Sequence, residues 1–135
     1  MPIPAELLAL ERPLEEDLEI FQGDSRVIPQ RLAIKGGAGL NLSDLTFRLQ
    51  VRANPTDDAV IIAALVEPDP VSAATGWYNE TWDRAETAAL LPPDGTPDDQ
   101  VRVRIGWYDC DVSDTTQTVT FRRGNVYLIR QASRA

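Results

Sequence analysis

The chain contains no histidine. That absence removes the commonest general base, the Ser-His and Cys-His nucleophile pairs, and the usual zinc and iron ligands. Any catalysis would have to run on Asp, Glu, Lys or Tyr. There is one cysteine, Cys110, so no disulfide can form within the chain. Basic charge is scarce: 13 Lys and Arg stand against 21 Asp and Glu, a net charge of −8. A surface of that sign repels phosphate backbones. The arginines (Arg48, Arg52, Arg102, Arg104, Arg122, Arg123) are scattered rather than interleaved with aromatics. Nucleic acid and membrane are therefore not expected as partners. No apolar run approaches the ~20 residues of a membrane span. Met1-Pro2-Ile3-Pro4 lacks the basic start and long apolar core of a signal peptide. These absences predict a soluble chain made in the cytosol, without cofactor, metal or small-molecule substrate.

What is present is mostly β patterning. A 135-residue chain has the size of one domain and can bury a core. The first sixteen residues differ from the rest. Pro4 opens and Pro13 closes a short helix former rich in leucine, read as an arm over 1–16 ahead of a β domain over 17–135. Leu7, Leu8 and Leu10 in so short an arm need a surface to cover them. Packing on their own domain and docking on a neighbouring subunit are equally compatible with the sequence.

From Asp17 onward Leu18 and Ile20 alternate with acids until Gly23-Asp24-Ser25 breaks the pattern. "RVIPQRLAIK" follows as a second strand, with Pro29 expected on a sheet edge or at a bulge. "GGAG" is a connection. In "LTFRLQVR", Leu45, Phe47, Leu49 and Val51 share one face and Thr46, Arg48, Gln50 and Arg52 the other. "AVIIAALV" is apolar on both phases and is expected to be a strand covered on both sides. "EPDPVSAATGWYNETW" reads as a loop. "DRAETAALL" reads as a short helix with Asp83 as N-cap and Glu86 three residues on. "VRVRIGWYDCDV" changes phase at Gly106-Trp107, as a β-bulge would produce. "QTVTFRRGNVYLIRQ" closes the chain with one strand or two. About seven strands and one short helix predict an all-β, antiparallel sandwich of immunoglobulin-like type.

The chemistry-bearing patterns are weak. Gly23-Asp24-Ser25 has neither the Gly-x-Ser-x-Gly elbow nor a histidine, so it is read as a corner, with Asp24 orienting the turn through backbone N–H groups. "GGAG" lacks the Gly-Lys-Ser/Thr ending of a phosphate loop. The acids Asp57-Asp58, Asp94, Asp98-Asp99 and Asp109-Asp111-Asp114 suit solvated turns better than calcium, because the Gly at the sixth loop position and the closing Glu are missing. Asp109 and Asp111 would raise the pKa of Cys110, expected as a half-buried strand residue. Trp77, Tyr78 and Trp82 are candidate partner-binding residues together with Leu7, Leu8 and Leu10. The same three aromatics could instead cap the core, or stack on sugar rings as a carbohydrate-binding module.

The order of "FQGDSRVIPQRLAI", "LNLSDLTFRLQVRANP", "DRAETAALL", "RVRIGWYDCDV" and "TFRRGNVYLIRQASR" is similar to a family of small phage virion domains. Its type is the N-terminal domain of siphophage baseplate upper proteins. The matching marks are Gly23-Asp24, Leu45 to Arg52, Glu86 to Leu90 and Arg123-Gly124, spread over Asp17 to Arg134. Asn41-Leu42-Ser43-Asp44 departs from the Asp-Leu-Thr-Gly the family tends to have, and the segment holding Trp77 and Trp82 is long. The resemblance implies a non-enzymatic virion protein of a tail or baseplate. It would be an adaptor docking fibre, spike or neighbouring tail subunits, with no receptor-binding module of its own.

Overall fold

The alternation at Leu45 to Arg52 becomes a strand because period-two apolar residues can bury one face only in extended conformation. The same reasoning accounts for most of the elements. A computed structural model describes residues 3–10, 12–33, 37–56 and 58–130. In chain order these are α1 (Ala5–Leu8), β1 (Leu14–Glu15), β2 (Leu18–Phe21), β3 (Arg26–Arg31), β4 (Thr46–Arg52), β5 (Val60–Pro68), a 3₁₀ turn (Ala73–Thr75), β6 (Trp77–Trp82), α2 (Arg84–Ala88), β7 (Arg102–Ser113) and β8 (Thr118–Ile129). The strand order is β1-β8-β7-β4-β5-β6-β3, with β2 also on β8.

β5 joins the two layers. Its first half pairs with β4 through Gln50 and Ala63, and its second half pairs with β6 through Leu65 and Thr81. The sheet thereby folds over, and β6 faces β8 across the interior. Phe47 of β4 stacks on Tyr78 of β6 at 5.1 Å, and Phe121 of β8 meets both rings edge-on at 5.9 and 6.0 Å. Such aromatic pairs add roughly 0.5–1.5 kcal/mol each beyond their buried area. Leu49, Val51, Tyr108, Cys110, Val112, Val126 and Leu128 complete a sealed core. The fold class is the expected one, an all-β immunoglobulin-like sandwich with little helix.

Four details differ from the sequence expectation. Eight strands form among the described residues instead of about seven. β1 and β2 run parallel to β8, whereas the rest of the sheet is antiparallel. Parallel neighbours need a long crossover, and here the whole domain between β2 and β8 supplies it, so no local pattern announces the pairing. "GWYNETW" is the strand β6 rather than part of a loop, with Tyr78, Glu80 and Trp82 inward. A glutamate in the inward phase hides that alternation. β5 is covered on one side only: Ile62, Ala64 and Val66 are buried, while Ile61, Ala63 and Leu65 face outward and are exposed.

Other expectations match. The register of β7 against β8 slips between Arg104 and Gly106, a bulge one residue from the phase change. The Asp83 side chain accepts the Glu86 N–H at 3.2 Å and starts α2. β8 is one strand running through Gly124. Gly23 has φ 78°, the left-handed conformation that lets the chain turn from the β2 layer into β3.

Candidate functional site

The aromatic trio does not form a platform. On a strand, neighbours point to opposite faces, so Trp77 is 37% exposed while Tyr78 and Trp82 are each 2% exposed. Tyr78 and Trp82 are core residues, which corrects their reading as partner-binding side chains. Trp77 alone faces out, with the Arg31 guanidinium 5.9 Å from its ring centroid. That geometry leaves one exposed ring of the three.

Between Tyr78 and Trp82 the same inward face carries Glu80, fully buried. Its carboxylate pairs with Arg122 of β8 across the sandwich. Arg122 Nε also donates to Glu16 Oε2 at 2.9 Å, and its guanidinium lies 5.3 Å from the Tyr108 ring. The Tyr108 hydroxyl donates to the Glu16 carbonyl at 2.8 Å. Burial pushes the Glu80 carboxyl up against the pull of Arg122. Burial also pushes up the Cys110 thiol, which is fully buried rather than half-buried and is held neutral and inert. Antibody-type sandwiches tie their layers with a disulfide; here an ion pair spans the layers. No sequence spacing links Glu80 to Arg122, so this pair was invisible before folding.

The arm over residues 1–16 lies on its own domain within the described residues. Ile3 and Leu7 are buried in the common core, and β1 pairs with β8. Leu8 and Leu10 remain 43% and 37% exposed. The arm is anchored where Asp114 Oδ2 accepts the Ile3 N–H at 3.1 Å, while Oδ1 accepts the Thr116 and Gln117 N–H groups at 2.8 Å each. Donors at Thr116, Ile3 and Gln117 hold the Asp114 carboxyl well below the ordinary value of 3.8. A depressed carboxylate stabilises the fold fully above its ordinary value and ceases to as pH falls through the lowered one. Asp114→Ala is accordingly expected to free the arm at neutral pH. Limited digestion with a glutamate-specific protease should then cut after Glu6 at least several-fold faster while the core stays intact; an unchanged cleavage rate would show that the arm is held without this anchor.

The remaining candidates are structural. The Asp24 carboxylate pairs with Arg26 at 3.2 Å, and Arg26 lies 3.7 Å over the Phe21 ring. The Asp24 carbonyl accepts the Thr87 hydroxyl at 2.9 Å, which ties α2 to the corner. Asp109 and Asp111 sit on a strand face opposite arginines, with Asp111 at 2.7 Å from Arg48 and Asp109 at 3.6 Å from Arg52. Among the described residues no three His, Cys, Asp or Glu side chains are grouped to hold a metal; Asp57 lies outside the described residues.

The surface that sequence reasoning missed is the outer face of β3, β6 and β5. Val27 is opposite Thr81, and Thr81 is opposite Leu65. Val27 and Leu65 are 63% and 60% exposed. Ala63 and Ile61 extend the row along β5. The signal was the doubly apolar run from Ala59 to Val66, read as covered on both sides. The neighbouring edge is blunted. Leu32 N–H donates to Gly76 C=O, so even-numbered amides face β6 and odd-numbered ones face outward. Pro29, with no N–H, interrupts that outward row, a common guard against strand addition.

No protein-family model matches the chain, and no curated protein matches it in sequence. Solved structures do. The chain is similar to a chain of the ZIG-8–RIG-5 IG1–IG1 heterodimer, with 12% identity, 91% of this chain and 88% of that chain covered, and a TM-score of 0.38. It is also similar to the NK cell receptor NKp44, described as a triggering partner in natural cytotoxicity, with 11% identity, 90% and 100% coverage, and a TM-score of 0.43. Both are similarities of general architecture, and neither bears on what this chain does.

Proposed function

We propose that this chain is a non-enzymatic docking protein of a bacteriophage tail or baseplate, an adaptor that joins fibre, spike or neighbouring tail subunits. The virion setting rests on the ordered resemblance from Gly23-Asp24 to Arg123-Gly124. The docking role rests on one observation, the exposed side chains of Val27 and Leu65 on either side of half-buried Thr81 across three adjacent strands. Monomeric proteins seldom leave contiguous apolar area on a flat sheet face without a partner. Pro29 on the flanking edge favours contact through this face over strand addition. The carbohydrate alternative loses Tyr78 and Trp82 to the core.

The test is incorporation into particles. A tagged chain should be present in purified virions in stoichiometric amounts. Leu65→Asp and Val27→Asp should each reduce incorporation at least tenfold. Their stability should stay within about 0.5 kcal/mol of the parent, as for ordinary surface substitutions. Absence of the parent chain from virions would defeat the virion setting. Full incorporation of both variants would defeat this face as the docking surface.

A further inference from the structure

The outer face of β3, β6 and β5 has two ends of different chemistry. Strand pairing sets its side chains in cross-strand rows. Val27, Thr81 and Leu65 form one row, and Pro29, Asn79 and Glu67 form the next. Arg31 opposite Trp77 closes the face. From Leu65 the apolar end continues along β5 through Ala63 and Ile61. Among the outward-phase residues of these three strands only Glu67 and Arg31 are charged, and both lie at the other end. The two charges are not equivalent. The Arg31 guanidinium is engaged: Nε donates to the Thr75 carbonyl at 3.1 Å and Nη2 to the Gly37 carbonyl at 3.0 Å. Glu67 is exposed and has no hydrogen-bond or ion-pair partner among the described residues. It stands two residues beyond Leu65 on the same face, about 7 Å along the strand.

We propose that the partner seated on this face presents an apolar strip ending in a lysine or arginine, with that cation over Glu67. This rests on the docking role proposed above for the same face. Two observations choose a cation. A stable interface covers about 800 Å² on each partner, so a partner packed on Val27 and Leu65 reaches the next row and covers Glu67. A carboxylate withdrawn from water then needs an opposite charge. Arg31 already has acceptors from this chain, whereas Glu67 has no donor. The net charge of −8 acts in the same direction at longer range. It draws basic surfaces toward the chain and repels a second copy. The apolar end supplies the contact, and the ion pair at one end fixes the direction in which the partner lies along β5.

Two designed β-hairpin peptides serve as probes. Each carries a Leu and Val face, which ends in arginine in one and in glutamate in the other. Both are titrated into the whole chain while its amide chemical shifts are followed by NMR. The arginine hairpin should bind about threefold or more tighter, the scale of one solvent-accessible ion pair. Its shifts should centre on Val27, Leu65, Glu67 and Thr81. Glu67→Arg should reverse the preference. Reversal separates Glu67 from the overall charge, which stays negative in the variant. Equal binding of the two hairpins, a preference that Glu67→Arg leaves in place, or self-association through this face would each overturn the proposal. In particles, Glu67→Arg should lower incorporation about tenfold, since it sets like charges together. Loss with both Leu65→Asp and Glu67→Arg supports the cation contact. Loss with Leu65→Asp alone overturns that contact and leaves the docking face standing. No loss with either overturns both readings.

Discussion

Arg122→Met should lower the unfolding free energy by about 3–5 kcal/mol, because removing one member of a buried ion pair strands the other charge in a dry interior. Glu80 is fully buried, and Arg122 is its ion-pair partner across the sandwich. The loss should appear as a lower urea midpoint with a nearly unchanged slope. Two controls identify the cause. Replacing both residues, as in Glu80→Leu with Arg122→Met, should recover much of the stability, since well-packed apolar side chains often substitute for a buried pair without loss. The single variant should also recover as pH falls. Burial raises the Glu80 carboxyl above its ordinary 4.5, and without Arg122 nothing close opposes that rise. Between the ordinary and the raised value the folded chain holds the extra proton, so lowering pH favours folding. If the double variant were as unstable as the single one, the damage would come from lost packing of the arginine stem rather than from a stranded charge.

Gly124→Ala should cost about 3 kcal/mol, at the upper end for overpacking. Gly124 lies on β8 directly beneath the junction of β1 and β2, where a Cβ would come within 1.9 Å of the Glu16 carbonyl oxygen. That oxygen belongs to backbone and also accepts the Tyr108 hydroxyl, so it cannot swing aside as a side chain would. The edge formed by β1 and β2 must lift instead. Hydrogen exchange should show lost protection at residues 14–21 beyond any global change. Uniform loss across the whole sheet would mean that this edge is not a separable unit. The glycine makes room for a strand added in parallel from the far end of the chain.

Much of the architecture was legible because it is local. Strand β4 follows from its own alternation, the α2 start from Asp83 and Glu86, the β7 bulge from a phase change, and the edge position of β3 from Pro29. The misreadings have specific causes. Glu80 in an inward phase disguised β6 as a loop, and its aromatics then looked free to bind. The run Ala59 to Val66 carries apolar residues on both phases whether or not a second layer covers it.

Composition alone determined that chemistry based on histidine and an internal disulfide were closed to this chain, because those depend on which residues exist. Local pattern determined an all-β sandwich, because the period of burial is a property of neighbours in sequence. Tertiary structure decided the rest. It chose which face of β5 meets the core, placed Tyr78 and Trp82 inside and Trp77 outside, and laid Leu7 on its own domain with Leu8 left uncovered. It brought Glu80 to Arg122, 42 residues apart, and set β2 beside β8. These are contacts between distant segments, and no spacing along the chain encodes them until the sheet has folded over on itself.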